Sequence, residues 1–243
     1  MLILLLAASA TALATGLGAI PVFFLGRRAS AWEPALWGGA AGVMTVASVV
    51  GLLKPALDEG STVAVASGLS TGIAFLVAVR LLLSKSDVHV GKLSGADVRT
   101  AVLVFSVLFV HSLPEGFAIG TAYASDVSGL SLFVILAIGL QNIPEGTSVA
   151  IPMSESGFSR SQQFWAAVLT SAPQPIGAAI AYLLVEAVGA LLPASFGFAA
   201  GAMLALVASD LLPRTLADRS WRGLLGAAIG AAVMLALSAG LGV

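Results

Sequence analysis

The feature that most constrains this chain is the length of its apolar stretches. Runs of about 18 or more apolar residues read as membrane spans, and such runs recur here from end to end, separated by short polar breaks. Eight candidate helices follow, at about 2–25, 35–54, 62–83, 99–123, 128–152, 161–188, 194–212 and 221–241. Each is close to the ~20 residues that a helix needs to cross ~30 Å of hydrocarbon. Only 9% of the 243 residues are charged, against about 25% in a soluble domain, so the chain cannot dress a soluble surface. It is expected to be an all-α integral membrane protein, a single transmembrane domain over 1–243. Met1 to Ala14 lacks a preceding basic region, and the expectation is a first membrane helix rather than a cleaved signal peptide. The longest connection, about 84–98, carries Lys85, Asp87, His89, Lys92 and Asp97 and reads as a polar surface loop.

The basic residues predict the orientation. Arg27, Arg28, Arg80, Lys85, Lys92, Arg99, Arg160, Arg214, Arg219 and Arg222 fall at connections 1–2, 3–4, 5–6 and 7–8, and Lys54 alone falls on the other side. The positive-inside rule then puts those four connections in the cytoplasm and both termini outside. Trp32, Trp37, Trp165 and Trp221 lie near the same face, as an interfacial belt would. Asp58, Glu59, Asp126 and Glu186 give the opposite face a mild negative balance.

The chemistry sits in two matching segments. One span holds His111-Ser112-Leu113-Pro114-Glu115-Gly116 and the next holds Gln141-Asn142-Ile143-Pro144-Glu145-Gly146. Consecutive spans run antiparallel, so matching mid-span motifs imply an approximate two-fold axis in the membrane plane, the arrangement by which transporters place a site at the midplane. His111 and Glu115 are four apart and share one helix face, and Gln141 and Glu145 repeat the relation. If the two faces meet, one imidazole, one amide oxygen and two carboxylates converge. There is no cysteine, so a metal here takes nitrogen and oxygen ligands only, a set that suits zinc and also admits iron(II), manganese or cadmium. Pro114 and Pro144 cannot donate to the carbonyls of Val110 and Leu140, and a kink is expected before each glutamate. Glu115 and Glu145 are the acidic residues deep within a span, where each ionised carboxylate costs roughly 2.5–3.5 kcal/mol. A divalent cation between them balances both charges.

The paired motifs resemble those of the ZIP (Zrt/Irt-like protein) family of divalent metal transporters, in its prokaryotic form. Thr15-Gly-Leu-Gly-Ala and the stretch from Gly201-Ala-Met-Leu to Asp210-Leu-Leu-Pro resemble the family as well. The resemblance implies a 3+2+3 inverted-repeat arrangement of eight helices and a transport bundle containing the spans at about 99–123 and 128–152. It also implies zinc as the first candidate cargo, influx toward the cytoplasm by alternating access, a cell-membrane location and a homodimer. Family members with two metals add a second ligand set, and the positions here read Ser112, Asn142 and Gln174, without an acid of their own. Two divalent ions against Glu115 and Glu145 would leave two positive charges uncompensated, so one tight metal is expected and any second site should be weak. By the same resemblance Asp210 and His89 lie on the exit route, although Asp210 also stands one turn from Arg214, as an interfacial ion pair would. No separate cofactor and no nucleic-acid partner are expected; the partners are the metal and the bilayer. The competing readings are an intramembrane metal-dependent enzyme, for which no His-Glu-x-x-His motif exists, and a non-transporting metal sensor.

Overall fold

The computed structural model describes the backbone of residues 1–85, 96–217 and 221–243, and within these the side chains other than those of Arg27, 83–85 and 96–108. The described chain is helical, with no strand among the described residues. Its long helices are α1 (Leu2–Leu25), α2 (Arg28–Glu59), α3 (Thr62–Lys85), α4 (Ala96–Ala124), α5 (Leu130–Glu155), α6 (Arg160–Ala187), α7 (Gly189–Leu216) and α8 (Trp221–Leu241). Seven of them, all but α4, are long and apolar enough to cross a membrane on their described residues. The chain is a multi-pass membrane protein. Only 22% of the apolar window of α3 and of α8 is buried, against 67% for α2 and 61% for α5, so α2 and α5 are central and α3 and α8 peripheral.

Both α4 and α5 run as one helix through Pro114 and Pro144. Each is clamped next to its proline, because the Gly116 backbone lies on that of Gln174 and the Gly146 backbone on that of Thr15. The interruptions lie in the other helices. Gly18 divides α1, and Ser171-Ala172 divides α6. Within α2 and α7 there is a widened, π-helical segment, Ala47–Leu53 and Val207–Leu211, with a proline just beyond it at Pro55 and Pro213. A proline ring collides with the carbonyl four residues back, here Gly51 and Ser209, and a widened turn over those residues makes room for it.

Close packing pairs the helices along glycines. Gly68 and Gly72 of α3 lie on the Ala194 and Phe198 carbonyls of α7, and Gly197 and Gly201 return the contact to Val65 and Leu69. Gly38 and Gly42 of α2 meet Gly223 and Ala227 of α8, while Gly226 and Gly230 meet Ala35 and Gly39. Gly116 and Gly120 of α4 meet Gln174 and Ala178 of α6, and Gly18 and Gly146 join α1 to α5. In each pair the residue numbers rise together, so the partners are parallel, and each pairs odd with odd or even with even. That is the direction rule of a chain crossing back and forth. Without a hydrophobic drive between helices in lipid, such small-residue contacts are a main source of association.

These pairings divide the bundle into two bodies. The α1, α4, α5 and α6 helices contact one another; α2 packs on α8 and α7, and α7 on α3, while α2 meets α5 and α4 meets α7 across the division. Across the seam the contacts are mostly apolar, among them the edge-to-face Phe117–Phe198 pair at 5.0 Å. The ends of the bundle are also sorted. At one end Ser125 donates to Glu59, Gly60 abuts Pro193, and Gly129 abuts Leu241. At the other, Arg222 donates to the Ala31 carbonyl, Arg160 to the Phe23 carbonyl, and Arg80 and Arg214 flank Asp210. The described basic side chains at helix ends thus gather as the sequence predicts. Trp32, Trp165 and Trp221 are exposed, while Trp37 is buried in the core cluster with the Arg214 guanidinium 4.8 Å from its ring centre, so it lies toward the basic end without facing outward.

A methyl at Gly72 would overlap the Phe198 carbonyl, whereas one at Gly39 would have only the Gly226 carbonyl, 3.9 Å away. Gly72→Val is therefore expected to lose about 2 kcal/mol through overpacking, seen as a melting temperature several degrees lower in detergent. Gly39→Ala should melt with the unaltered protein.

Candidate metal site

The two motifs meet where the sequence places them, at the centre of the first body. His111, Ser112, Glu115, Gln141, Asn142, Glu145 and Gln174 are all buried. Glu115 is the hub. Gln141 Nε2 donates to its Oε1 at 2.7 Å, and Gln174 Nε2 donates to its Oε2 at 2.9 Å. Its carboxyl group also adjoins those of Glu145 and the Ser112 side chain.

The two predicted ligand sets differ in how their atoms are used. Asn142 and Gln174 exchange a reciprocal pair of amide hydrogen bonds, each 3.2 Å. Thr11 Oγ1 donates to Gln174 Oε1 at 2.8 Å, and Asn142 Nδ2 donates to the Thr11 carbonyl at 2.7 Å. The donors of both amides are thereby used up. The first set is open. Six buried side-chain atoms among the described residues lack a hydrogen-bond partner, and four of them are His111 Nδ1, His111 Nε2, Gln141 Oε1 and Glu145 Oε1. The other two, Ser48 Oγ and Gln163 Oε1, lie outside the motifs. An unpartnered buried polar atom costs about 1–3 kcal/mol, so four of them in three predicted ligands mark atoms kept for something else.

The four ligands are not gathered into one shell. No three His, Asp or Glu side chains stand together as a metal cage among the described residues. Gln141 points its NH2 group, not its oxygen, at Glu115. His111 and Glu115 line a small cavity in the seam, among the buried residues Met44, Leu76, Pro114, Ala202, Met203 and Leu206. His111 thus looks toward the second body. To gather all four, the Gln141 amide must turn over, which exchanges its N–H for its oxygen.

The profile of the family described as "ZIP Zinc transporter" matches residues 82–238, more than half of the chain. The chain belongs to the ZIP family. Among relatives, a protein of Arabidopsis thaliana provisionally named a zinc transporter is 37% identical over 233 residues, 94% of this chain and 37% of its own length. The chain thus spans just over a third of that relative. The zinc transporter GufA of Myxococcus xanthus is 32% identical, covering 83% of this chain and 84% of its own. The zinc transporter ZIPB of Bordetella bronchiseptica is 30% identical, covering 94% and 78%. The ZIP family consists of transporters, not enzymes, and the enzyme reading is dropped.

The sequence did not point to Thr11, which joins α1 to the amide pair. Its signal was a hydroxyl at Thr11 and another at Thr15, four apart on one face of an apolar helix; Thr15 Oγ1 in turn bonds Ser171 Oγ at 2.6 Å. Met44 and Met203 were likewise not singled out. Asp210 lies at the basic end, paired with Arg214 and Arg80 rather than in the motif cluster. His89 lies outside the described residues.

Gln174→Leu keeps the volume but strands Glu115 Oε2 and the Asn142 amide. It is expected to lower stability in metal-free detergent by about 1–3 kcal/mol, measured as an earlier thermal transition, whereas Gln163→Leu, remote from the motifs, should change it less.

Proposed function

We propose that this chain carries a divalent metal ion, zinc before iron, manganese or cadmium, across the cell membrane toward the cytoplasm by alternating access. The observation that carries this reading is the set of unpartnered ligand atoms on His111, Gln141 and Glu145 beside the Glu115 carboxyl. His111, Glu115, Gln141 and Glu145 hold the ion, and the two carboxylates neutralise its charge at the midplane. The relatives named for zinc transport favour zinc. One ion is carried at a time, because Asn142 and Gln174 spend their amides on each other and on Glu115, and Ser112 brings no charge.

The chain spans the membrane eight times in a 3+2+3 inverted repeat with both termini outside. Exchanging α1 with α6, α2 with α7, α3 with α8 and α4 with α5 turns the α3–α7 pair into α8–α2 and the α4–α6 pair into α5–α1. The same exchange matches the break at Gly18 with that at Ser171, and the widened segment of α2 with that of α7. The body holding α4 and α5 moves against the other. The cavity beside His111 and Glu115 lies in the seam between them, so a shift along that seam would expose the ion to one side or the other.

The test is zinc uptake into proteoliposomes loaded with a zinc-sensitive dye. The unaltered protein is expected to fill them, and Glu115→Ala and Glu145→Ala to lower the rate by at least an order of magnitude, since each leaves a divalent ion short of one charge in a low-dielectric site. Equal rates in all three would overturn the site, and binding without uptake would favour a sensor. Anomalous scattering from cadmium-soaked crystals should show one strong peak between α4 and α5; two equal peaks would refute the single ion.

A further inference from the structure

A second polar cluster lies on the other body, displaced from the seam cavity toward the basic end. Three residues lining the cavity lead to it. Leu76 is followed one turn later by Arg80, Leu206 is followed one turn later by Asp210, and Met44 is preceded two turns earlier by Trp37. Parallel α3 and α7 both run toward the basic end and α2 runs away from it, so all three steps point the same way. The cluster thus stands between the cavity and the basic face.

Its geometry is unequal. Arg214 Nε contacts Asp210 Oδ2 at 3.2 Å, from the same helix, and its guanidinium is stacked on Trp37. Arg80 comes from α3 and reaches Asp210 Oδ1 only at 4.0 Å. The Asp210 side chain is 12% exposed and both arginine side chains are 39% exposed. Two guanidinium groups against one carboxylate leave the cluster with one positive charge.

A nearly buried carboxylate on that route, left alone, would bind a departing divalent cation and hold it, because charges interact strongly where water is scarce. Arg214 removes most of that attraction and is fixed in place by its stacking. The Arg80 contact is longer, comes from a different helix and has no ring beneath it, among the described residues, to match Trp37 under Arg214. We propose that Arg80 is a positioning residue for metal release. It acts through Asp210, keeping that carboxylate covered so that the basic face stays the low-affinity side of the transporter. This inference rests on the transport reading above, with the ion passing the cluster as it leaves.

The experiment compares metal transport from the two faces, using right-side-out and everted membrane vesicles of a host expressing the full chain, with zinc as the probe. In Arg80→Gln the apparent KM for zinc offered to the basic face is expected to fall roughly three- to tenfold, the effect of removing one partly screened charge, while the KM at the opposite face stays put. Arg80→Lys should restore the wild-type value, since it keeps the charge. Asp210→Asn combined with Arg80→Gln should abolish the fall. An unchanged KM at the basic face, or an equal change at both faces, overturns the proposal. If Arg80→Gln fails to accumulate, the wild-type protein supplies the second measurement: raising salt on the basic face alone should lower the KM there by screening the net positive cluster, and no response to salt overturns the proposal too. Absence of zinc transport by the wild type in either vesicle would instead refute the function proposed above.

Discussion

Contact of backbone on backbone at Gly116 and Gly146 is what the site depends on. Inside hydrocarbon a polar side chain cannot turn to water, so it must find its partner on another helix. Amide and carboxyl side chains are short, and they meet only if the helix axes lie close together. The Gly116 backbone rests on that of Gln174, and Gly146 on Thr15. That approach puts Gln174 Nε2 2.9 Å from Glu115 and Asn142 Nδ2 2.7 Å from the Thr11 carbonyl. A helix spacing larger by the width of one methyl group would break these bonds and strand several buried polar atoms at once. The glycine after each glutamate is therefore part of the electrostatics of the site, although it carries no charge.

The same network explains how two carboxyl groups persist side by side in the core of the protein. Glu115 is surrounded by neutral donors from two neighbouring helices, Gln141 from α5 and Gln174 from α6. These bonds offset part of the loss of hydration without adding charge. Glu145 is treated differently, with Oε1 left without a partner. One carboxylate is thus anchored and the other is held in reserve. On the proposed reading, an entering cation would find one wall of the site anchored and the other still free to adjust.

Much of this was legible in the sequence, for identifiable reasons. Helix positions follow from runs of apolar residues, which depend on local composition alone, and the pairing of Glu115 with Gln141 follows from i,i+4 spacing in consecutive helices. What escaped the sequence depends on helices far apart along the chain. Thr11 meets Gln174 across 163 positions, and nothing local to either residue announces the contact. The burial of Trp37 beneath Arg214 is of the same kind. The widened turns of α2 and α7 were not read from the sequence either. Pro114 and Pro144 sit beside glycines that admit a clamping neighbour, and both helices continue through them, while Pro55 and Pro213 deform the turns before them.

Those deformed turns carry a consequence for how the chain tolerates change in length. A π-helical turn holds one more residue than its α-helical equivalent, so everything beyond Val207–Leu211 is rotated by about 100° from where an unbroken α-helix would put it. Arg214 owes its azimuth to that extra residue, as do the positions beyond Leu53 in α2. Deleting a single residue from either segment would regularise the helix and preserve its hydropathy while swinging those groups out of alignment. In most of the bundle a lost residue harms packing; in these two turns it would act as a change of phase.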